Sequence, residues 1–228
     1  MVWLTFDDGP DTRWTLPVLD ALDAADAKAT FFVVAEQIAT DGGAEVLAET
    51  LRRGHSVQMH CARHLRHEAL DADELRADAQ EIESVLAEHR APEPTLWRPP
   101  YGSVHPVHTC QIAAERGRLV IRWSHDTVDY RGLDAATMLA AARGGSTGPA
   151  GLAADSVVLM HDSRRYSSTP GGGAAGTVAL VEPLVALVRS RGWDVGVRAA
   201  PPTEGWGGFL LPCPGAECAC RQRSRPRQ

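Results

Sequence analysis

Five short polar clusters in this sequence combine the residue types that hydrolytic chemistry uses. They are Asp7-Asp8 before Gly9-Pro10, His60 with His64, Arg98-Pro99-Pro100-Tyr101, Asp126 with Asp129, and His161-Asp162. One carboxylate and two imidazoles form a donor set for a catalytic divalent ion with an open coordination position. Asp8, His60 and His64 supply that set. Asp7 is then available to take a proton from an attacking water, and His161 to protonate a leaving group. Singly, each cluster has a plainer reading. Adjacent acids before Gly-Pro often only close a turn, and two His four apart arise by chance in a chain with nine His. A lone His at a strand end is commonly a satisfied core residue, the Arg98 segment can be a rigid proline turn, and Cys61 reads as a small buried hydrophobe. Their joint occurrence favours chemistry.

The elements that must bring these clusters together are legible from hydrophobic patterning. Apolar, β-branched runs at 2–6, 29–34, 56–59, 95–97, 119–123, 156–160 and 193–197 predict strands. Between them the pattern predicts helices, clearest over 71–89, where Asp71 is the N-cap and Glu74 stands at the capping-box position. Helices over 46–53 and 178–191 end at Gly54 and Gly192. Strand and helix alternating at this spacing predict an α/β fold with a parallel sheet. The polar clusters follow five of the strands, and in such folds the carboxyl ends of all strands share one face, so clusters spread over the chain converge on one site.

With 44% hydrophobic and 23% charged residues in 228, the composition fits one globular domain and excludes fibrous or disordered classes. No apolar run approaches the roughly 20 residues of a membrane span. Net charge is −6, and the last eight residues hold four Arg and no acid, leaving 19 basic against 29 acidic residues elsewhere. Such an acidic body disfavours nucleic acid as a partner. Five cysteines, an odd number, set no disulfide framework. Met1 runs directly into the first strand, so no export signal is expected, and location and oligomeric state stay open. From residue 199 the alternation stops in a Pro/Gly/Cys-rich, terminally basic stretch. Cys213, Cys218 and Cys220 lack a second paired motif, so 199–228 reads as an irregular tail rather than a metal clip.

The five motifs, in their order, resemble the polysaccharide deacetylases of the NodB-homology type, carbohydrate esterase family four. Thr5-Phe6-Asp7-Asp8-Gly9-Pro10 resembles that family's first motif, His60 with His64 its HxxxH motif, and Arg98-Pro99-Pro100-Tyr101 its third. Residues 123–130 resemble its fourth, and Leu159-Met160-His161 its fifth. The resemblance covers about 1–198 and implies a distorted (β/α)7 barrel, a divalent metal that is usually Zn2+, with Co2+ an alternative, and hydrolysis of an acetyl group from an N-acetylated or O-acetylated carbohydrate. It further implies Asp7 as base, Asp8, His60 and His64 as ligands, and His161 as acid. Arg98 would hold Asp7, Asp129 would orient His161, the Tyr101 N–H would help stabilise the oxyanion, and Leu159 with Tyr130 would line the acyl pocket.

Three features depart from the pattern. Cys61 stands where Ser or Thr normally follows the first His, and Tyr130 replaces the usual Trp, which implies a roomier and more polar pocket. The stretch 166–176, rich in Ser and Gly, is longer than a simple connection needs and reads as a substrate lid or a plain loop. Two alternatives stay open: a related metallohydrolase acting on a small non-polymeric amide, and a catalytically inactive sugar-binding barrel.

Overall fold

The structure, a computed structural model, describes residues 1–144, 151–167 and 174–197. The predicted tail from 199 onward, with its three cysteines, and residues 168–173 of the predicted lid lie outside the described residues.

Seven strands form one sheet: β1 (Trp3–Asp7), β2 (Thr30–Val34), β3 (Ser56–Cys61), β4 (Leu96–Trp97), β5 (Leu119–Val120), β6 (His125–Asp126) and β7 (Val157–His161). Their order is β5-β4-β3-β2-β1-β7-β6, and every neighbouring pair is parallel. The helices are α1 (Thr15–Ala24), α2 (Ala35–Ile38), α3 (Gly43–Arg52), α4 (Ala72–Glu88), α5 (His108–Glu115), α6 (Ala135–Arg143) and α7 (Ala175–Ser190).

The connection from β5 to β6 shows that this sheet is curled. These strands occupy opposite edges, yet only residues 121–124 separate them. Five residue steps reach at most about 18 Å, whereas six inter-strand spacings in a flat sheet span about 29 Å. The sheet must bend round, which gives the distorted, open-sided (β/α)7 barrel expected from the motifs.

Side-chain alternation then sorts each strand between two environments. Leu4 and Phe6 of β1, Val57 and Met59 of β3, Trp97 of β4, and Val158 and Met160 of β7 join the large core under the helices. Trp3, Phe32, Leu96, Ile121 and Val157 form a separate small cluster on the concave face. Counting on by twos from that cluster along β1, β4 and β7 arrives at Asp7, Arg98 and His161. Because both faces are covered, the strands read as continuous apolar runs.

The helix over 71–89 forms as α4, with a complete capping box. The Asp71 carboxylate accepts from the N–H groups of Asp73 and Glu74, and Glu74 accepts from the Asp71 N–H. The runs at 119–123 and 193–197 are corrected. Strand structure in the first stops at Val120, after which the chain crosses to the far edge and forms β6, which is too short to show a pattern. The second keeps one bridge, Val195 to Val2, just before β1 begins.

Gly9 marks where the fold leaves no room. A Cβ there would sit 2.2 Å from Oδ2 of Asp162, a buried carboxyl that accepts from Thr15 Oγ1 at 2.6 Å. Gly9→Ala is expected to cost about 1–3 kcal/mol through overpacking, a fall in Tm of about 2–10 °C. A thermal melt checks this, and an unchanged Tm contradicts it.

Candidate active site

Asp7 is the last residue of β1 and pairs in register with His161, the last residue of β7. Strand alternation alone would turn Asp8 to the opposite face. Its backbone instead adopts a left-handed conformation (φ 81°), and both acids line the same cavity. Three further non-glycine residues of the site, His64, Tyr101 and Val128, have φ between 52° and 58°. Strain of this kind persists only where surrounding contacts over-determine the backbone.

Asp8, His60 and His64 converge so that one ligand atom from each lies within 4.8 Å of the others. Asp8 Oδ1 lies 2.9 Å from His64 Nε2 and 3.4 Å from His60 Nε2. The donor chemistry fits a divalent metal. His60 Nδ1 lies 2.6 Å from the Arg98 carbonyl, which can only accept, so Nδ1 carries the proton and Nε2 keeps its lone pair toward the site. Burial disfavours charge on Asp8, but the adjoining His60 and His64 imidazoles outweigh it in the metal-free protein and hold the carboxyl well below its usual range. Burial lowers the His64 pKa, which keeps its ring neutral as a ligand requires.

The loop carrying His64 is held from two sides. The backbone N–H of His64 donates to Cys61 Sγ at 3.1 Å, and those of Ala62 and Arg63 donate to the Asp78 carboxylate of α4 at 3.0 and 3.3 Å. Cys61 therefore serves as an acceptor, a role in which sulfur replaces a hydroxyl, and burial pushes its thiol pKa up. The His64 ring stacks on Tyr166 at 4.0 Å and meets the Tyr101 ring edge-on at 4.7 Å. Gln37 Nε2 donates to the Tyr166 hydroxyl at 2.8 Å.

Asp7 and His161 each have one dedicated partner. Arg98, fully buried, donates from Nη1 to Asp7 Oδ1 at 2.7 Å and to Thr5 Oγ1 at 2.8 Å. Asp129 Oδ1 lies 2.7 Å from His161 Nδ1, while its Oδ2 accepts from the His161 N–H and from Thr177 Oγ1. Burial alone would lower the His161 pKa, but Asp129, with smaller contributions from Asp8 and Asp7, carries it up to about 10.

Asp7, Asp8, His60, His64, Tyr101, Tyr130, Leu159 and His161 line one cavity of about 550 Å³, with Arg98 and Asp129 as the buried supports of Asp7 and His161. The ten residues singled out in the sequence are thus brought together. Tyr130 meets the His161 ring edge-on at 5.8 Å. Gly102 (φ 63°) lets Trp123 close in, since a Cβ there would be 2.8 Å from the indole. Sequence reasoning missed Asp78, Gln37, Thr177 and the cavity wall of Arg66, Ser163, Arg164, Arg165, Tyr166 and Ser167. No motif marks these residues, although Tyr166 and Ser167 open the stretch 166–176 read as a substrate lid or a plain loop.

The polysaccharide deacetylase family pattern matches residues 1–121. A peptidoglycan-N-acetylglucosamine deacetylase of Bacillus cereus is 31% identical over 191 residues, 84% of this chain and 64% of that protein. A chitooligosaccharide deacetylase of Bradyrhizobium sp. is 30% identical over 210 residues, 85% of this chain and 87% of that protein. The crystal structure of a peptidoglycan N-acetylglucosamine deacetylase in complex with 4-naphthalen-1-yl-N-oxidanyl-benzamide superposes with a TM-score of 0.70 at 30% identity, covering 85% of this chain and 84% of that one. The chain belongs to the polysaccharide deacetylase family, carbohydrate esterase family four. It spans 36% to 64% of the length of the first curated relatives it matches.

The His161–Asp129 pair has a measurable consequence in metal-free protein. An imidazole pKa raised from 6.5 to about 10 adds stability that is fully present below pH 6.5 and is lost as pH rises through about 10. The stability margin of the native chain over His161→Gln, a few kcal/mol at most, is expected to shrink across that window in urea melts with chelator present. A margin independent of pH contradicts the assignment.

Proposed function

We propose that the protein is a metal-dependent deacetylase that hydrolyses N-acetyl or O-acetyl groups of a carbohydrate. The observation that carries this reading is the meeting, in one cavity, of the Asp8–His60–His64 donor set with two separately buttressed proton carriers, Asp7 on Arg98 and His161 on Asp129. The same set argues against a catalytically inactive sugar-binding barrel, which has no use for a paired base and acid. The acetamido sugars in the names of the relatives support an N-acetyl substrate.

Asp8, His60 and His64 would hold the divalent ion, Zn2+ or Co2+. When bound, such an ion supplies Lewis-acid polarisation of the acyl carbonyl and lowers the pKa of water beside it. Asp7 accepts the proton of the attacking water as the new C–O bond forms, and Arg98 keeps Asp7 from rotating away. The Tyr101 N–H donates to the oxyanion that develops on the carbonyl oxygen. His161, charged beside Asp129, gives its proton to the departing nitrogen or oxygen as the acyl bond breaks. The proton gained by Asp7 matches the proton lost by His161, so the cycle releases acetate and a free amine or alcohol. Leu159 and Tyr130 form the wall against the acyl methyl, and Tyr130 in place of Trp leaves that wall more polar.

Acetate release is the direct test, measured over chitooligosaccharides, peptidoglycan fragments, acetylated xylan and free N-acetyl sugars. Chelation is expected to abolish turnover, and added Zn2+ or Co2+ to restore it. Full turnover in protein shown to be free of metal would end this reading.

A further inference from the structure

The cavity carries positive charge that the proposed chemistry does not use. Of its lining acids, Asp7 is neutralised by Arg98, Asp8 belongs to the donor set, and Asp126 accepts from the Val128 N–H at the foot of β6. Of its three lining arginines, Arg164 is spent inside the wall, where its guanidinium donates to the carbonyls of Asp129 and Tyr130. Arg66 and Arg165 remain. Both are exposed, both line the cavity, and neither guanidinium has an acidic or carbonyl partner among the described residues.

The segments that carry these two side chains meet at His64. The Arg66 guanidinium lies over the Tyr101 ring at 4.2 Å, Tyr101 abuts His64 at 4.7 Å, and His64 stacks on Tyr166 at 4.0 Å, the residue that follows Arg165. A row of three rings therefore runs from the Arg66 guanidinium past His64 to Tyr166, in the segment that carries Arg165, while Tyr130 packs against His161. Stacking on Tyr101 also limits the conformers of Arg66, so less entropy is lost when its fork meets a ligand. Elsewhere on the surface Arg52, Arg53, Arg76, Arg116 and Arg118 are paired with carboxylates, while exposed Arg13, Arg63, Arg90, Arg122, Arg131 and Arg143 are not, among the described residues. What distinguishes Arg66 and Arg165 is that their free guanidiniums line the cavity. In a chain of net charge −6 the body repels anions, so two unpaired guanidiniums at the cavity mouth point to a local anion requirement.

The geometry points to an oxyanion subsite formed by Arg66 and Arg165, which selects acetylated sugars bearing a carboxylate or phosphate near the acetyl group over neutral ones. A guanidinium fork matches either oxyanion in a bidentate contact. This inference rests on the deacetylase reading for its substrate class, and a binding measurement separates the two.

Metal-loaded full-length protein is titrated calorimetrically at low salt with N-acetylglucosamine, N-acetylmuramic acid and N-acetylglucosamine 6-phosphate, and acetate release is followed on the same sugars. At least one anionic sugar is expected to bind about tenfold more tightly than the neutral one, the scale of one charge-assisted contact. Whichever of the two it is identifies carboxylate or phosphate as the group held. In the Arg66→Gln/Arg165→Gln double variant that ratio is expected to collapse toward one, and Arg66→Lys/Arg165→Lys to retain part of it. Equal affinities in the native protein, no measurable binding of either anionic sugar, or a ratio unmoved in the glutamine double variant would overturn the subsite. Anion preference without acetate release from any of the three sugars would support the subsite and count against the deacetylase reading.

Discussion

The buried guanidinium of Arg98 is the constraint on which the rest of the site depends. A charge with no exposed surface is costly unless a partner is in place, and removing one member of such a pair commonly costs about 3–5 kcal/mol. Asp7 meets that requirement at 2.7 Å, Thr5 Oγ1 and the Arg122 carbonyl take further donors, and the Phe32 ring lies 4.1 Å from the guanidinium carbon. The same residue acts a second time through its backbone, because its carbonyl fixes the tautomer of His60. One side chain and one carbonyl, belonging to a single residue at the end of β4, thus set the orientation of both the acid on β1 and the imidazole on β3.

The curled sheet makes that economy possible. Strand ends that are far apart in sequence face one concavity, and a two-residue repeat along each strand delivers Asp7, Arg98 and His161 to it from a small apolar cluster beneath. Where the repeat would turn a needed group away, the backbone breaks it, at Asp8 with φ 81° and in the His64 loop with φ 52°. These unfavourable conformations are held by neighbours outside the cavity. Asp78 and Cys61 secure the His64 loop, and Thr177 on α7 reaches the Asp129 carboxylate from behind.

How much of this is legible in the sequence follows from the same physics. Strand cores are legible because both faces are covered, and α4 because Asp71 and Glu74 spell out its cap. β6 is not, since two residues carry no period, and α1 begins without a side-chain cap to announce it. The residues proposed to react are legible because the chemistry restricts their types. Their supports are less so: Asp78 looks like one more polar residue on an acidic helix, and only the path of the chain shows that it receives two loop N–H groups. Arg66 and Tyr166 join the cavity wall through loop geometry, which a single sequence does not display.

The central claim is that Arg98 divides the labour of two adjacent acids, reserving Asp7 for proton transfer and leaving Asp8 to the metal. The most direct test is the stoichiometry and affinity of bound Zn2+ in Asp7→Asn and Asp8→Asn measured side by side. The account predicts that Asp7→Asn retains one ion per chain while Asp8→Asn loses it. Loss of the ion from Asp7→Asn with retention in Asp8→Asn would contradict it.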